Sequence, residues 1–302
     1  MTALPAARGP QTPPPALVAV VPGAPGAAAR PEVAALLRRV RALRPGPAVE
    51  AVRLAECDAR LGPVLERHRR SGAVVLPLLF SRGPEARHEV PDAVARTGRQ
   101  AVLAAGLGPH PLLADALAGR LAETPGGSTA TAVVLAAPGS SDPECVAGLR
   151  YTADLLSSRL GGLPVPPGPA GAGGAAEAVA RLRDLGHTRI AVAACFLAAD
   201  PGTAALAADR RLAVAAPLGA HVALARLMLH RYDQAVGHRP AGAGHGVPPV
   251  AGRAPVPAPP AVGGEPRWGQ RPHAEPARHR AFRATRRPSA AAYPAPAPAG
   301  RR

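Results

Sequence analysis

A chain of 302 residues has room for two ordinary domains, but 39 Pro and 33 Gly against only seven aromatics leave part of it too poor in apolar surface to fold. All 36 basic residues are Arg, and more than half of the formal +16 charge lies beyond residue 235, where 11 Arg face two acids. A nucleic-acid or anionic-surface function is therefore not written into the body of the chain. Cys57, Cys145 and Cys195 lack CxxC or Cys/His spacing, which excludes a disulfide framework and a zinc ribbon and predicts buried, reduced thiols. No apolar run approaches the ~20 residues of a membrane helix, and MTALPAARGPQTPPP lacks the apolar centre of a signal peptide, so a cytoplasmic protein without a membrane partner is expected.

In chain order, residues 1–15 are Pro-rich and predicted to be disordered. Leu17 to Val21 reads as a strand. Arg30 to Leu43, with Val33, Leu36, Leu37, Val40 and Leu43 at helical spacing, reads as an amphipathic helix ended by Pro45-Gly46-Pro47. A strand follows at Val49 to Leu54, and a helix at Leu61 to His68 opened by Gly62-Pro63. The third strand begins at Val74, and beyond it come a helix around Pro91 to Arg96, a strand at Gln100 to Ala105 and a helix across Pro111 to Glu123. After the linker Thr124 to Ala130 the alternation restarts. It has a strand at Ala132 to Ala136, a helix at Glu144 to Leu160, a Gly/Pro loop at Gly161 to Gly174 and a helix at Ala175 to Leu185. A strand at Thr188 to Leu197 and a helix at Leu218 to Ala235 complete it. Such alternation predicts parallel sheets with right-handed crossovers and helices on both faces.

Three landmarks recur in the same order. Val21-Pro22-Gly23 returns as Ala137-Pro138-Gly139, the run from Val75 to Ser81 as Val192 to Ala198, and Leu107-Gly108-Pro109-His110 as Leu218-Gly219-Ala220-His221. The fold class is therefore α/β with two duplicated lobes, each a parallel sheet flanked by helices, at residues 16–124 and 131–235. A disordered Pro/Ala/Arg-rich tail is expected at 236–302, able to tether an anionic partner such as nucleic acid through its Arg residues and Trp268.

The chain is organised around Val74 to Pro91, VVLPLLFSRGPEARHEVP: a buried parallel strand, then Glu85, Arg87, His88 and Glu89 within five positions. Open α/β sheets bind ligands at the carboxyl ends of their strands, so this is the densest cluster of candidate metal or proton ligands. Elsewhere the bland assignments come first. His110 and His221 precede helices and suit caps or packing. His68 reads as a solvated helix end, His187 as a turn residue, and Asp142 or Ser141 as an N-cap. Pro22-Gly23 and Pro138-Gly139 remain able to offer backbone N–H groups to a propionate or phosphate.

These landmarks resemble the class II chelatases, the family of sirohydrochlorin chelatase and the cobalt-inserting chelatase of cobalamin synthesis. The resemblance spans about residues 16–235. Val20-Val21-Pro22-Gly23-Ala24-Pro25-Gly26 lies where that family has V-G-H-G-S-R-D-P and recurs as Ala136 to Pro143, and Pro77 to Pro91 lies over its P-L-x-L-x-x-G-x-H-x-x-x-D-I-P. The resemblance implies insertion of Co2+ or Fe2+, as substrate, into a sirohydrochlorin-type tetrapyrrole by two histidines that hold the ion and take ring protons. Here those positions are Pro22 and Glu85, with Pro138 in the second lobe, and a carboxylate usual after the second strand falls on Arg53. Glu85 and His88 are left as metal ligands and catalytic groups. Three functional readings follow: a working chelatase using Glu85 and His88; a non-catalytic paralogue that binds a tetrapyrrole or partners an active chelatase; and an anion-binding or nucleic-acid-associated protein acting through the tail.

Overall fold

The computed structural model describes residues 13–23, 31–169 and 174–238. Of the expected disordered segments 1–15 and 236–302, residues 13–15 and 236–238 are described, Val236 and Gly237 ending the last helix; the rest lie outside the described residues, as does the proposed tether with Trp268.

Two four-stranded parallel sheets are built from β1 (Ala16–Val21), β2 (Val49–Arg53), β3 (Ala73–Pro77) and β4 (Val102–Leu103), and from β5 (Ala132–Ala137), β6 (Pro167–Pro169), β7 (Ile190–Ala194) and β8 (Leu212–Val214). Their strand orders, β2-β1-β3-β4 and β6-β5-β7-β8, are the same. The β1, β3, β5 and β7 runs are almost wholly buried because a central parallel strand has helices on both faces. Alternate residues of one strand therefore enter different cores. Leu17 and Ala19 of β1 face inward with Val74 and Leu76 of β3, whereas Val18 and Val20 face outward with Val75.

The outer face of the first sheet is covered by α2 (Cys57–Arg67) and α3 (Val90–Arg96), through Leu61, Val64, Leu65, Val90 and Ala93. The second sheet's outer face is covered by α6 (Gly174–Asp184), through Ala178, Val179 and Leu182. Between the sheets lie α1 (Pro31–Leu43), α4 (Pro111–Ala122), α5 (Pro143–Arg159) and α8 (Val222–Gly237), with α7 (Pro201–Leu206) beside α6. Inner residues of both sheets and these four helices form one continuous core.

The last helix of each half packs on the other half: α4 lies against β7, and α8 against β3, β4 and α1. Polar contacts hold the exchange in place. Arg231 Nε donates to the Gly106 carbonyl at 2.9 Å, Tyr232 Oη to the Pro15 carbonyl at 2.8 Å, and the Arg44 guanidinium pairs with Asp233. On the other side Arg120 Nη2 donates to the Leu218 carbonyl at 2.8 Å. Each helix is capped by its own histidine, whose Nδ1 accepts the N–H two residues on: His110 from Leu112 at 3.1 Å and His221 from Ala223 at 3.2 Å. Each capping ring then meets the partner helix, His110 beside His230 with ring centroids 4.9 Å apart, and His221 over Gly119, where any Cβ would collide with the imidazole.

Several local expectations change. The α2 helix starts at Cys57 and carries Gly62 and Pro63 inside it, because the missing Pro63 N–H removes only one bond from a helix already under way. The Gly161 to Gly174 loop contains β6. Prolines are tolerated there because the strand is an edge and a proline carbonyl still accepts: Leu135 N–H donates to the Pro166 carbonyl at 3.1 Å. Gly168 is required at its centre, since a Cβ would lie 2.7 Å from Ala175 Cα. The short elements α7 and β8 stand where no element was expected, and β4 is reduced to two residues; each of these strands is an edge. His68 is not solvated but half-buried, 2.6 Å from Glu50.

Candidate functional site

β1 and β3 are adjacent and parallel, so the chain leaves both at one edge of the first sheet; Leu78 N–H still donates to the Val20 carbonyl at 2.8 Å. That edge carries Pro22 and Gly23 after β1, Arg53 at the end of β2, and Leu78 to Pro84 after β3. Arg53 donates to Glu56 at 3.1 Å, and Glu56 also accepts from Arg60 at 3.0 Å, so the carboxylate at this strand end is committed to two guanidiniums.

The Glu85–Glu89 segment is not a loop but a π-helical turn leading directly into α3. Wider turns of this kind concentrate at functional positions. The turn leaves Glu85 half-buried and His88 and Glu89 exposed. Among the described residues no three His, Cys, Asp or Glu side chains converge closely enough to hold a metal ion, so Glu85 and His88 form no closed site with a third such ligand.

The structure joins this turn to the loop opening α5. Arg87 pairs with Asp142 and donates to Glu144 at 2.9 Å. Asp142 is the N-cap of α5, its Oδ1 accepting from the N–H groups of Glu144 at 2.9 Å and Cys145 at 3.2 Å. Burial opposes ionisation of Asp142, but these two N–H groups and the Arg87 charge outweigh it and lower its pKa. Ser81 Oγ lies 3.3 Å from Cys145 Sγ. Gly83 sits between: a Cβ there would be 2.8 Å from both Cys145 Sγ and Glu85 Oε2, so those two atoms lie within twice that distance of each other. Sequence reasoning found Glu85 and the Asp142 cap. It took Cys145 as an ordinary buried thiol and Arg87 as part of a charged run, because contacts across 55 or more residues leave no spacing signal.

The thiols differ. Burial pushes Cys57 up to about 11 and Cys195 up to about 12, so both stay protonated, and Cys57 Sγ donates to the Arg53 carbonyl at 3.4 Å. His110 and His221 serve as caps, and burial lowers the pKa of each. With Nδ1 accepting, each neutral ring carries its proton on Nε2.

Two parallel sheets of identical strand order flanked by helices make a chelatase-like α/β fold. The model of the CbiX family matches residues 16–124. No curated protein matches the chain. Among solved structures, SirB from Bacillus subtilis with Fe3+ is similar at 20% identity over 73% of this chain and 95% of its own, with a TM-score of 0.60. The sirohydrochlorin chelatase SirB from Bacillus subtilis subspecies spizizenii in complex with cobalt is similar at 19% identity, over 75% and 97%, with a TM-score of 0.59. CbiX, described as the terminal enzyme for biosynthesis of siroheme in denitrifying bacteria, is similar at 23% identity over 73% and 99%, with a TM-score of 0.57. At these identities the structural likeness establishes the fold, and the family match covers the first sheet with its helices. No described helix is long and apolar enough to cross a membrane.

Proposed function

We propose that the protein is a chelatase-type protein that brings a divalent metal, Co2+ or Fe2+, to a sirohydrochlorin-type tetrapyrrole, with Glu85 as metal ligand and His88 as proton acceptor. The observation that carries this reading is the place of Glu85. It stands on a π-helical turn beyond the carboxyl end of β3, its carboxylate without a hydrogen-bond partner among the described residues. An unpaired carboxylate binds a hard or borderline divalent ion, and an exposed imidazole accepts a proton released when the ring is metallated.

A second reading is favoured by Pro22 and Pro138, which offer neither a ligand atom nor an exchangeable proton. In it the protein binds the tetrapyrrole without metallating it, or partners an active chelatase. Anaerobic mixing of the protein with sirohydrochlorin and Co2+ or Fe2+, followed by absorbance, separates the two. The first reading predicts metallation above the uncatalysed background and its loss in Glu85→Ala/His88→Ala. A background rate accompanied by a metal-independent shift of the tetrapyrrole spectrum rejects it in favour of the second.

A further inference from the structure

We infer that Arg87 is the positioning residue of the turn that carries Glu85 and His88, and that the second half of the chain serves the site by holding this turn across the junction. The inference rests on the reading of Glu85 and His88 as the site and adds the device that orients them. The segment has no anchor of its own. From Ser81 to Glu89 no side chain is buried; Gly83, the one buried residue, has none. Fully buried side chains stand only on either side, Leu78 before the segment and Val90 after it. Within the turn the backbone bonds are local: the Ala86 and Arg87 N–H groups share the Gly83 carbonyl at 3.0 and 3.1 Å, and the Val90 N–H reaches the Glu85 carbonyl. A π-turn is a rare conformation, and bonds inside it do not fix its direction relative to the sheet.

What fixes that direction comes from the other half. Every polar contact that the segment's side chains make among the described residues goes to the opening of α5: Arg87 to Asp142, and to Glu144 at 2.9 Å; Arg82 to Glu144 at 4.0 Å; Ser81 to Cys145 at 3.3 Å. Arg87 dominates the set. Arg82 and Glu144 are 53% and 51% exposed, so their long pairing is weak, whereas Asp142 is only 16% exposed where Arg87 meets it. The planar guanidinium bridges two carboxylates, and the helix holds both: Asp142 accepts the Glu144 and Cys145 N–H groups, and Glu144 lies in the first turn. Arg87 needs to meet neither ring nor ion, since it acts through Glu85, two residues before it, and His88, one after. A ligand and a proton acceptor must face one point, and a misplacement of about 1 Å can cost a hundredfold in rate. The second half, which has Pro138 and so no ligand atom at that place, thus contributes support through Asp142, four residues on.

Two measurements on the full chain test this. The first needs no ligand: hydrogen exchange, read by mass spectrometry, of the peptide spanning Glu85 to Val90. Exchange there should be about threefold or more faster in Arg87→Gln, nearer the unaltered rate in Arg87→Lys, and faster in Asp142→Asn, which keeps the α5 cap but loses the charge. Exchange in β1 should not change, which separates a loosened turn from a lost fold. The second is the anaerobic insertion assay with sirohydrochlorin and Co2+. There kcat should fall about tenfold or more in Arg87→Gln while the KM for the ring stays within about twofold, and Arg87→Lys should recover part of the loss. Arg87→Gln/Asp142→Asn should be no slower than Arg87→Gln alone, because the two residues act through one contact. Unchanged exchange at Glu85 to Val90 in Arg87→Gln, a loss confined to KM, or losses that add in the double variant would each overturn the inference. An unaltered protein that inserts no metal loses the insertion reading alone, and the exchange measurement still decides whether Arg87 positions the turn.

Discussion

Replacing His110 with Asn removes a titrating group from beneath α8 while keeping a side chain able to cap α4. In the unaltered chain burial lowers the His110 pKa from 6.5 to about 4, with the charges of Arg231 and His230 acting the same way and Asp115 opposing. The folded value lies below the unfolded one, so acid favours the unfolded chain. The stability His110 contributes is complete above about pH 6.5 and is lost as pH falls from there towards 4. Protonation also fills the Nδ1 lone pair that accepts from Leu112, so the cap is lost in the same window. A shift of this size corresponds to ~3 kcal/mol at full burial, and the partial exposure of the ring reduces that to about 1–2 kcal/mol. His221 is shifted in the same direction by burial and by Arg120, and loses its share in the same sense. Urea unfolding at pH 7.5 and pH 4.5, followed by circular dichroism, measures the effect. The unaltered protein should lose about 1–2 kcal/mol more across that interval than His110→Asn. Equal losses in the two proteins would refute the assignment of His110 as a buried neutral cap.

Two further outcomes follow from the packing. A chain ending at residue 124 keeps all four strands of the first sheet but lacks α8, leaving Leu17, Leu36 and Leu76 uncovered on the inner face. It is expected to lose its sigmoidal urea transition and to elute as aggregate on gel filtration; a monomer with a cooperative transition would show that α8 is dispensable. Gly127→Ala places a methyl group against the Leu121 carbonyl at the end of α4, where backbone must move, and should cost about 1–3 kcal/mol in urea unfolding.

The parts legible in the sequence were those that depend on local pattern. Continuous apolar runs marked β1, β3, β5 and β7, and helical spacing marked α1 and α8, because a central strand and an amphipathic helix each write their burial into neighbouring residues. Edge strands other than β2 were the ones misread or missed. β6 is Pro-Gly-Pro and β8 is half-buried, so neither has the apolar signature of a strand covered on two faces. Helix ends were read well where a side chain marks them, as with Asp142, His110 and His221. The exchange of α4 and α8 left no trace in order or spacing, since either helix would satisfy either sheet by amphipathicity alone. Within the candidate site, Glu85 was visible from its place after a strand. Its neighbour Cys145 was not, because the sequence separates what the fold brings together.

The exchanged helices also govern how this molecule can move. Two lobes joined by a single tether open like a clamshell about that tether. Here rotation of one sheet away from the other would drag a helix, rooted in the turning half, across the sheet it covers, breaking the Arg231 and Arg120 contacts as it went. The spacing of the two carboxyl edges is thus set by the interlock, and it changes only if those contacts break.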